Sequence, residues 1–135
     1  MTTFVVDASA YIYATTSTEP AARTVLKRIM DADCHAPHLL DAEVGNVLRR
    51  LELRGDIQPE TALSSRKSLK HMVNTRYPAL DPLGDAAWQL RGSITYYDAL
   101  YAALASAIGA RLLTADTRLS RAPGLPCEIE VVGQH

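Results

Sequence analysis

The stretch Phe4-Val5-Val6-Asp7-Ala8-Ser9-Ala10-Tyr11-Ile12 constrains the fold more than any other in the chain. A short apolar run, rich in β-branched residues, ends in a carboxylate, and helix-compatible residues follow at once. A buried parallel strand has this pattern, delivering an Asp to its carboxyl end, where open α/β sheets keep their sites. Asp7 also stands where it can cap the helix that follows, which is the ordinary role of such a residue. Its functional weight depends on whether other carboxylates reach the same edge.

The rest of the chain alternates helical and extended segments. Residues 8–14 read as a short helix closed by Thr15-Thr16-Ser17-Thr18. Pro20 opens a second helix at a position where proline is tolerated, with Ala22, Val25, Leu26 and Ile29 on one face. Residues 34–37 read as a strand. Residues 39–54 read as a helix carrying Leu40, Val44, Val47, Leu48 and Leu51, ended by Gly55. The next helix, 59–76, is polar, and its charges and Ser64-Ser65 mark it as an exposed arm. Residues 77–82 are extended and punctuated by proline, and 83–90 are helical. The most apolar helix, 97–108, sets Tyr97, Leu100, Tyr101, Leu104 and Ile108 on one stripe before Gly109. A strand at 111–114, a helical turn at 116–120 and a strand at 128–132 complete the chain. Such alternation predicts an α/β fold with a mostly parallel sheet and helices on both faces.

At 135 residues, 47% hydrophobic and 21% charged, the chain is expected to form one globular domain spanning residues 1–135. Its net charge of −1 neither demands nor excludes a polyanionic partner. No secretory signal is visible, because the first basic residue is Arg23 and Asp7 interrupts the early apolar run. The apolar stretch 99–108 is too short to cross a bilayer. Cys34 and Cys127 show neither metal spacing nor a CxxC pattern, so they read as reduced thiols of a cytoplasmic protein.

Three further acids can join Asp7. Glu43 and Asp98 lie early in their helices, each at the flank of an apolar stripe. Either is ordinarily explained by the helix dipole. Asp116 follows Leu112-Leu113-Thr114-Ala115, a second strand ending in an acid. A parallel sheet presents both strand-end acids at one edge, where helices starting from that edge add Glu43 and Asp98. Four crowded carboxylates repel one another. A hard divalent cation, Mg²⁺ or Mn²⁺, removes the conflict and pairs naturally with phosphates. His35, His38, His71 and His135 lack ligand spacing, so zinc suits the pattern less well. The chemistry such acids support is phosphodiester hydrolysis by water that the cation makes more acidic.

Between residues 49 and 76 lie Arg49, Arg50, Arg54, Arg66, Lys67, Lys70 and Arg76, against Glu52, Asp56 and Glu60. Each basic residue alone fits a solvated helix face. As a group they form a rim able to contact RNA phosphates, with Arg49, Arg66, Lys67 and Lys70 the expected contacts. Tyr96 and Tyr97 offer rings for base stacking, although Tyr97 is expected in the core.

Val6-Asp7-Ala8-Ser9-Ala10, Pro37-His38-Leu39-Leu40-Asp41-Ala42-Glu43-Val44-Gly45-Asn46-Val47-Leu48, Tyr97-Asp98-Ala99-Leu100-Tyr101-Ala102-Ala103 and Leu113-Thr114-Ala115-Asp116-Thr117-Arg118-Leu119 resemble the successive motifs of a PIN domain. The likeness is to the VapC ribonuclease toxins of bacterial toxin–antitoxin pairs. It implies a three-layer α/β/α sandwich and an Mg²⁺-dependent endoribonuclease. It places Asp7, Glu43, Asp98 and Asp116 in an acidic metal site, with Ser9 and Thr114 in support. Asp41, near Glu43 in sequence, points elsewhere on its helix. The resemblance also implies a homodimer held inactive by a VapB-like antitoxin whose basic side chain enters the acidic groove.

A haloacid-dehalogenase-type phosphatase would need a second Asp where this chain has Ser9. A receiver domain would need a late Lys, and the last here is Lys70. A different class remains open: a catalytically inactive PIN-like module that binds RNA or protein. Loss of an acid would favour that class, and all four are present.

Overall fold

Strand β1 (Thr3–Val6) lies at the centre of a five-stranded, wholly parallel sheet of order β3-β2-β1-β4-β5. The other strands are β2 (Asp33–Pro37), β3 (Thr75–Tyr77), β4 (Arg111–Thr114) and β5 (Ile129–Val131). The structure, a computed structural model, describes residues 1–133. Gln134 and His135 lie outside the described residues, and with them one of the four histidines considered above. Successive side chains of a strand face opposite sides, and Phe4, Val5 and Val6 are all buried. Both faces of β1 are therefore covered.

The covering helices are α1 (Ala8–Thr16), α2 (Pro20–Met30), α3 (Leu39–Leu53), α4 (Pro59–Met72), α5 (Leu83–Trp88), α6 (Tyr96–Ile108) and α7 (Thr117–Ser120). Helices α1 to α4 pack on one another, whereas α5 packs on α6, which lies along β1, β2 and β4. Gly109 ends α6 in the left-handed conformation, at φ 66°, which glycine adopts without steric cost. The strand order reverses direction at β1: β2 and β3 build outward on one side, β4 and β5 on the other. A crevice forms at the carboxyl end of such a switch point. The register pairs Val6 with Leu113 there, so Asp7 and Asp116 arrive at one edge.

Four local expectations are corrected. Helix α1 runs through Thr16, because the hydroxyls of Thr15 and Thr16 donate to the carbonyls of Tyr11 and Ile12 and close its last turn. Helix α4 stops at Met72, and Thr75–Tyr77 forms an edge strand beside β2. The side chain and backbone of Asn74 pair with Cys34 just before that strand, so the chain leaves the helix earlier than its polarity pattern suggests.

Helix α4 is also not an exposed arm. Ala62, Ser65 and Leu69 are buried. The fully buried Tyr11 donates its hydroxyl to the Ser65 carbonyl at 2.6 Å, and the Ser65 hydroxyl meets that of Thr15 at 2.7 Å. A small side chain with both polar groups satisfied lets two helices approach closely. Finally, Tyr97 leaves the apolar stripe and is 61% exposed. Side chains in a first helical turn lean back past the helix end, which carries this ring beyond the sheet. From Ala99 to Ala105, α6 is buried without a break.

Candidate active site

The end of β1, one face of α3 from Glu43 onward, the first two turns of α6 and the end of β4 meet at one cleft of about 440 Å³. It is lined by Asp7, Ser9, Glu43, Asp98 and Asp116, the acids expected from sequence and one of their polar supports. Thr114, the other support, is wholly buried beneath Ser9. Arg50, Val47, Ile12, Tyr13 and Tyr101 complete much of the lining.

Asp7 caps α1 and faces the cleft, so its ordinary role and its functional one coexist. Its Oδ1 accepts from the Ala10 N–H at 2.9 Å and from the Ser9 hydroxyl at 2.7 Å. The Ser9 oxygen also accepts from the Ala115 N–H at 2.8 Å and lies 3.2 Å from the Thr114 hydroxyl. Thr114 also hydrogen-bonds the Asp7 carboxylate, so its single hydrogen serves that acid as well as the contact with Ser9. Thr114 in turn accepts from the Asp116 N–H at 3.0 Å. Ser9 and Thr114 thus tie the ends of β1 and β4 together and fix the two strand-end acids relative to each other.

Glu43 is oriented from across the cleft. The Tyr101 hydroxyl donates to its Oε1 at 2.6 Å. Burial and the Glu43 carboxylate push the Tyr101 phenol far above its ordinary pKa, so it stays a donor. Tyr101 lies three residues after Asp98 and therefore on the same helix face. That spacing was visible in sequence, although the residue read only as core. Asp98 has its backbone N–H capped by Thr95 at 3.2 Å, and its carboxyl remains half-buried.

Burial raises the Asp7 carboxyl to about 6, against hydrogen bonds from Thr114, Ala10 and Ser9 and with the repulsion of Asp98. Glu43 is raised by burial and by Asp98, and Asp98 by burial and by Asp116. Asp116 departs from this pattern. Burial pushes it up, but the side chain and backbone N–H of Arg118 outweigh that and hold it below its ordinary value.

The lining contains no thiol and no imidazole. A site of oxygen donors that repel one another fits a hard divalent cation in donor type and in charge. Among the described residues, no three acidic, His or Cys side chains stand close enough to grip an ion. Glu43 is drawn toward Tyr101 and Asp116 toward Arg118, so the donors line the cleft without converging.

The basic residues divide. Arg66, Lys67 and Lys70 line a separate groove of about 690 Å³ with Asp41, Leu69 and Arg76, along the junction of α3 and α4. Arg49 lines neither that groove nor the acidic cleft. Arg50, not among the phosphate contacts expected from sequence, is the basic residue of the cleft wall. It follows Glu43 by seven residues, two helical turns, which places both on one face. Arg76 drops out of the phosphate-contacting group, because its guanidinium binds Asp41 at 2.8 and 2.9 Å and the carbonyls of Val73 and Leu69. Asp41 accordingly faces away from the cleft.

A family model for the PIN domain matches residues 4–125. Ribonuclease VapC1 of Mycobacterium tuberculosis is 45% identical over 128 residues, which cover 95% of this chain and 96% of that protein. Among solved structures, PAE2754 from Pyrobaculum aerophilum matches with a TM-score of 0.65 at 29% identity, over 89% of this chain and 84% of that one. VapBC2 from Rickettsia felis, solved with a promoter DNA fragment, matches with a TM-score of 0.71 over 97% and 99% of the two chains. At 15% identity, that last likeness speaks for the fold alone. Among the described residues, no helix is long and apolar enough to cross a membrane.

Proposed function

This chain belongs to the PIN-domain family, and from that premise we propose that it is an Mg²⁺-dependent endoribonuclease, the toxin of a VapBC-type pair, acting as one domain over residues 1–135. The observation that carries the reading is that Asp7, Glu43, Asp98 and Asp116, from four separate elements, line one cleft. Three of them have pKa values raised by burial and by one another. A binding module gains nothing from keeping such costly charges together, whereas an enzyme that handles a cation and a phosphate does.

Mg²⁺ or Mn²⁺, when bound, supplies positive charge against the phosphate and acidifies water there. The chain's residues hold and aim. Asp7, Glu43, Asp98 and Asp116 are the proposed ligands and phosphate-site acids. Ser9 and Thr114 keep Asp7 and Asp116 in register, and Tyr101 aims Glu43. Val47, Leu51 and Ile12 keep one wall dry. Arg66, Lys67 and Lys70 offer an outer track for RNA phosphates along their own groove, with Arg49 beyond it. A homodimer, a VapB-like antitoxin that covers the acids and a cytoplasmic location complete the proposal.

Purified protein incubated with RNA tests it. Cleavage is expected with Mg²⁺ or Mn²⁺, none with excess chelator, and none from the Asp98→Asn variant. Full cleavage in chelator would overturn the metal site, and absence of cleavage under every condition would favour the binding module.

A further inference from the structure

Asp98 and Asp116 line a second pocket besides the acidic cleft. On their far side lies a space of about 490 Å³ bounded by Ser93, Ile94, Thr95, Arg118, Leu119 and Arg121. The two acids are therefore a shared wall between two halves of one groove, not the end of a pit. The halves differ in chemistry. The first has Ala8, Ile12, Val47, Leu51 and the rings of Tyr13 and Tyr101 around its acids, a surface suited to a base. The second sets two hydroxyl-bearing residues and two arginines on a floor of Ile94, Leu119 and Ala122, and its two guanidiniums make it the half suited to a sugar–phosphate backbone.

The arginines are placed to accept a phosphate. Arg121 forms no ion pair among the described residues and is exposed. Arg118 touches Asp116 only at 3.3 and 3.4 Å, and its side chain is 88% exposed. The Arg118 backbone N–H, by contrast, caps Asp116 at 2.9 Å. The guanidinium can thus leave the carboxylate without releasing it, because the main chain keeps the acid in position. A guanidinium gains more from a desolvating phosphate than from a solvent-exposed carboxylate at such distances.

We propose that the pocket beyond Asp98 and Asp116 is the second half of the substrate groove, and that Arg118 and Arg121 hold there the phosphate adjacent to the one being cut in a single-stranded RNA. This inference rests on the nuclease reading and adds a direction to it. The strand enters past Arg50 and the apolar wall, crosses the acids, and leaves between Arg118 and Arg121. One flanking nucleotide is then gripped through its base and the other through its backbone.

The test is binding of a labelled single-stranded RNA 12-mer, followed by fluorescence anisotropy over a salt series. Ca²⁺ replaces Mg²⁺, neutralising the acids without the tight octahedral geometry of the smaller ion, and a gel verifies that the RNA is intact. Arg118→Gln/Arg121→Gln is expected to weaken binding about tenfold and to flatten the slope of log K against log salt by roughly 1.4, about 0.7 for each lost contact. Arg118→Lys should retain most of the slope. Lys27→Gln, which removes a charge from the last turn of α2 beside Asp31, should leave affinity and slope unchanged. Wild-type affinity and slope in the double variant would overturn the proposal while leaving the nuclease reading intact. No binding by the wild-type protein would overturn both.

Discussion

The two ends of the central sheet are opposites in how they treat charge. At the amino end, Arg28 reaches Glu130 through two bonds of 2.6 and 2.9 Å and stacks over Phe4 at 5.2 Å. Arg111 bridges Glu128 and Glu130 at 3.3 and 3.1 Å. The Glu130 carboxyl is lowered, chiefly by its hydrogen bonds to Arg28. At the carboxyl end, Asp7, Glu43 and Asp98 are raised, and none of them forms an ion pair among the described residues. A pocket of about 550 Å³ also opens at the amino end, but both arginines lining it are already paired. Concavity is therefore no guide to the site in this molecule. The uncompensated charge is, because paired acids stabilise the fold while crowded unpaired ones strain it and await a cation.

The contrast breaks most visibly in activity. Changing Asp7, Glu43, Asp98 or Asp116 to its amide should lower RNA cleavage by roughly a hundredfold or more, while Glu130→Gln leaves it near wild type. A gel assay of single-turnover cleavage checks this. Comparable losses at the two ends would dissolve the distinction.

Next comes the pH response of the metal-free protein. Asp7 is raised from 3.8 to about 6 in the folded state. Between those values the unfolded chain has lost its proton and the folded chain keeps it. Stability should therefore fall as pH rises from about 4 to about 6, by up to roughly 3 kcal/mol. Glu130 has the opposite sign: its contribution is present above its ordinary pKa and is lost as pH falls through its lowered one. Asp7→Asn should flatten the first slope, leaving the part contributed by Glu43 and Asp98, and stabilise the metal-free protein at neutral pH, since Asn caps a helix as well as Asp does. Urea titrations in chelator across pH 4 to 7 measure both, and an unchanged slope in Asp7→Asn would assign it elsewhere.

Two smaller effects sharpen the picture. Glu130→Gln should cost about 1 to 2 kcal/mol, because a bidentate, half-exposed pair is worth more than a surface ion pair and less than a buried one. Tyr101→Phe should cost about 1 kcal/mol or less in stability. It should slow cleavage only several-fold, because Glu43 is freed but not removed. Loss of cleavage as complete as in an amide variant would promote Tyr101 from an aiming residue to one that touches substrate.

Much of this architecture was legible in the sequence, and the particular residues show why. The run ending in Asp7, the strand before Asp116, and the placement of Glu43 and Asp98 early in their helices are local patterns with periods of two and 3.6 residues. A parallel α/β sheet converts those periods into position, since every strand end and every following helix start lies at the same edge. The four acids therefore share one edge whatever the contacts between them.

Pairing was decided only by the tertiary structure. Tyr101 meets Glu43 across 58 residues, Ser9 meets Thr114 across 105, and Arg76 meets Asp41 across 35. No periodicity encodes such partners. Serines that read as surface became a helix contact at Ser65, Arg76 left the basic rim for a carboxylate, and Arg50 rather than Arg49 reached the cleft. Local pattern sets which edge or face a residue occupies. Which charge meets which depends on how helices distant in sequence pack, and that settles whether a charged group is spent on stability or left for chemistry.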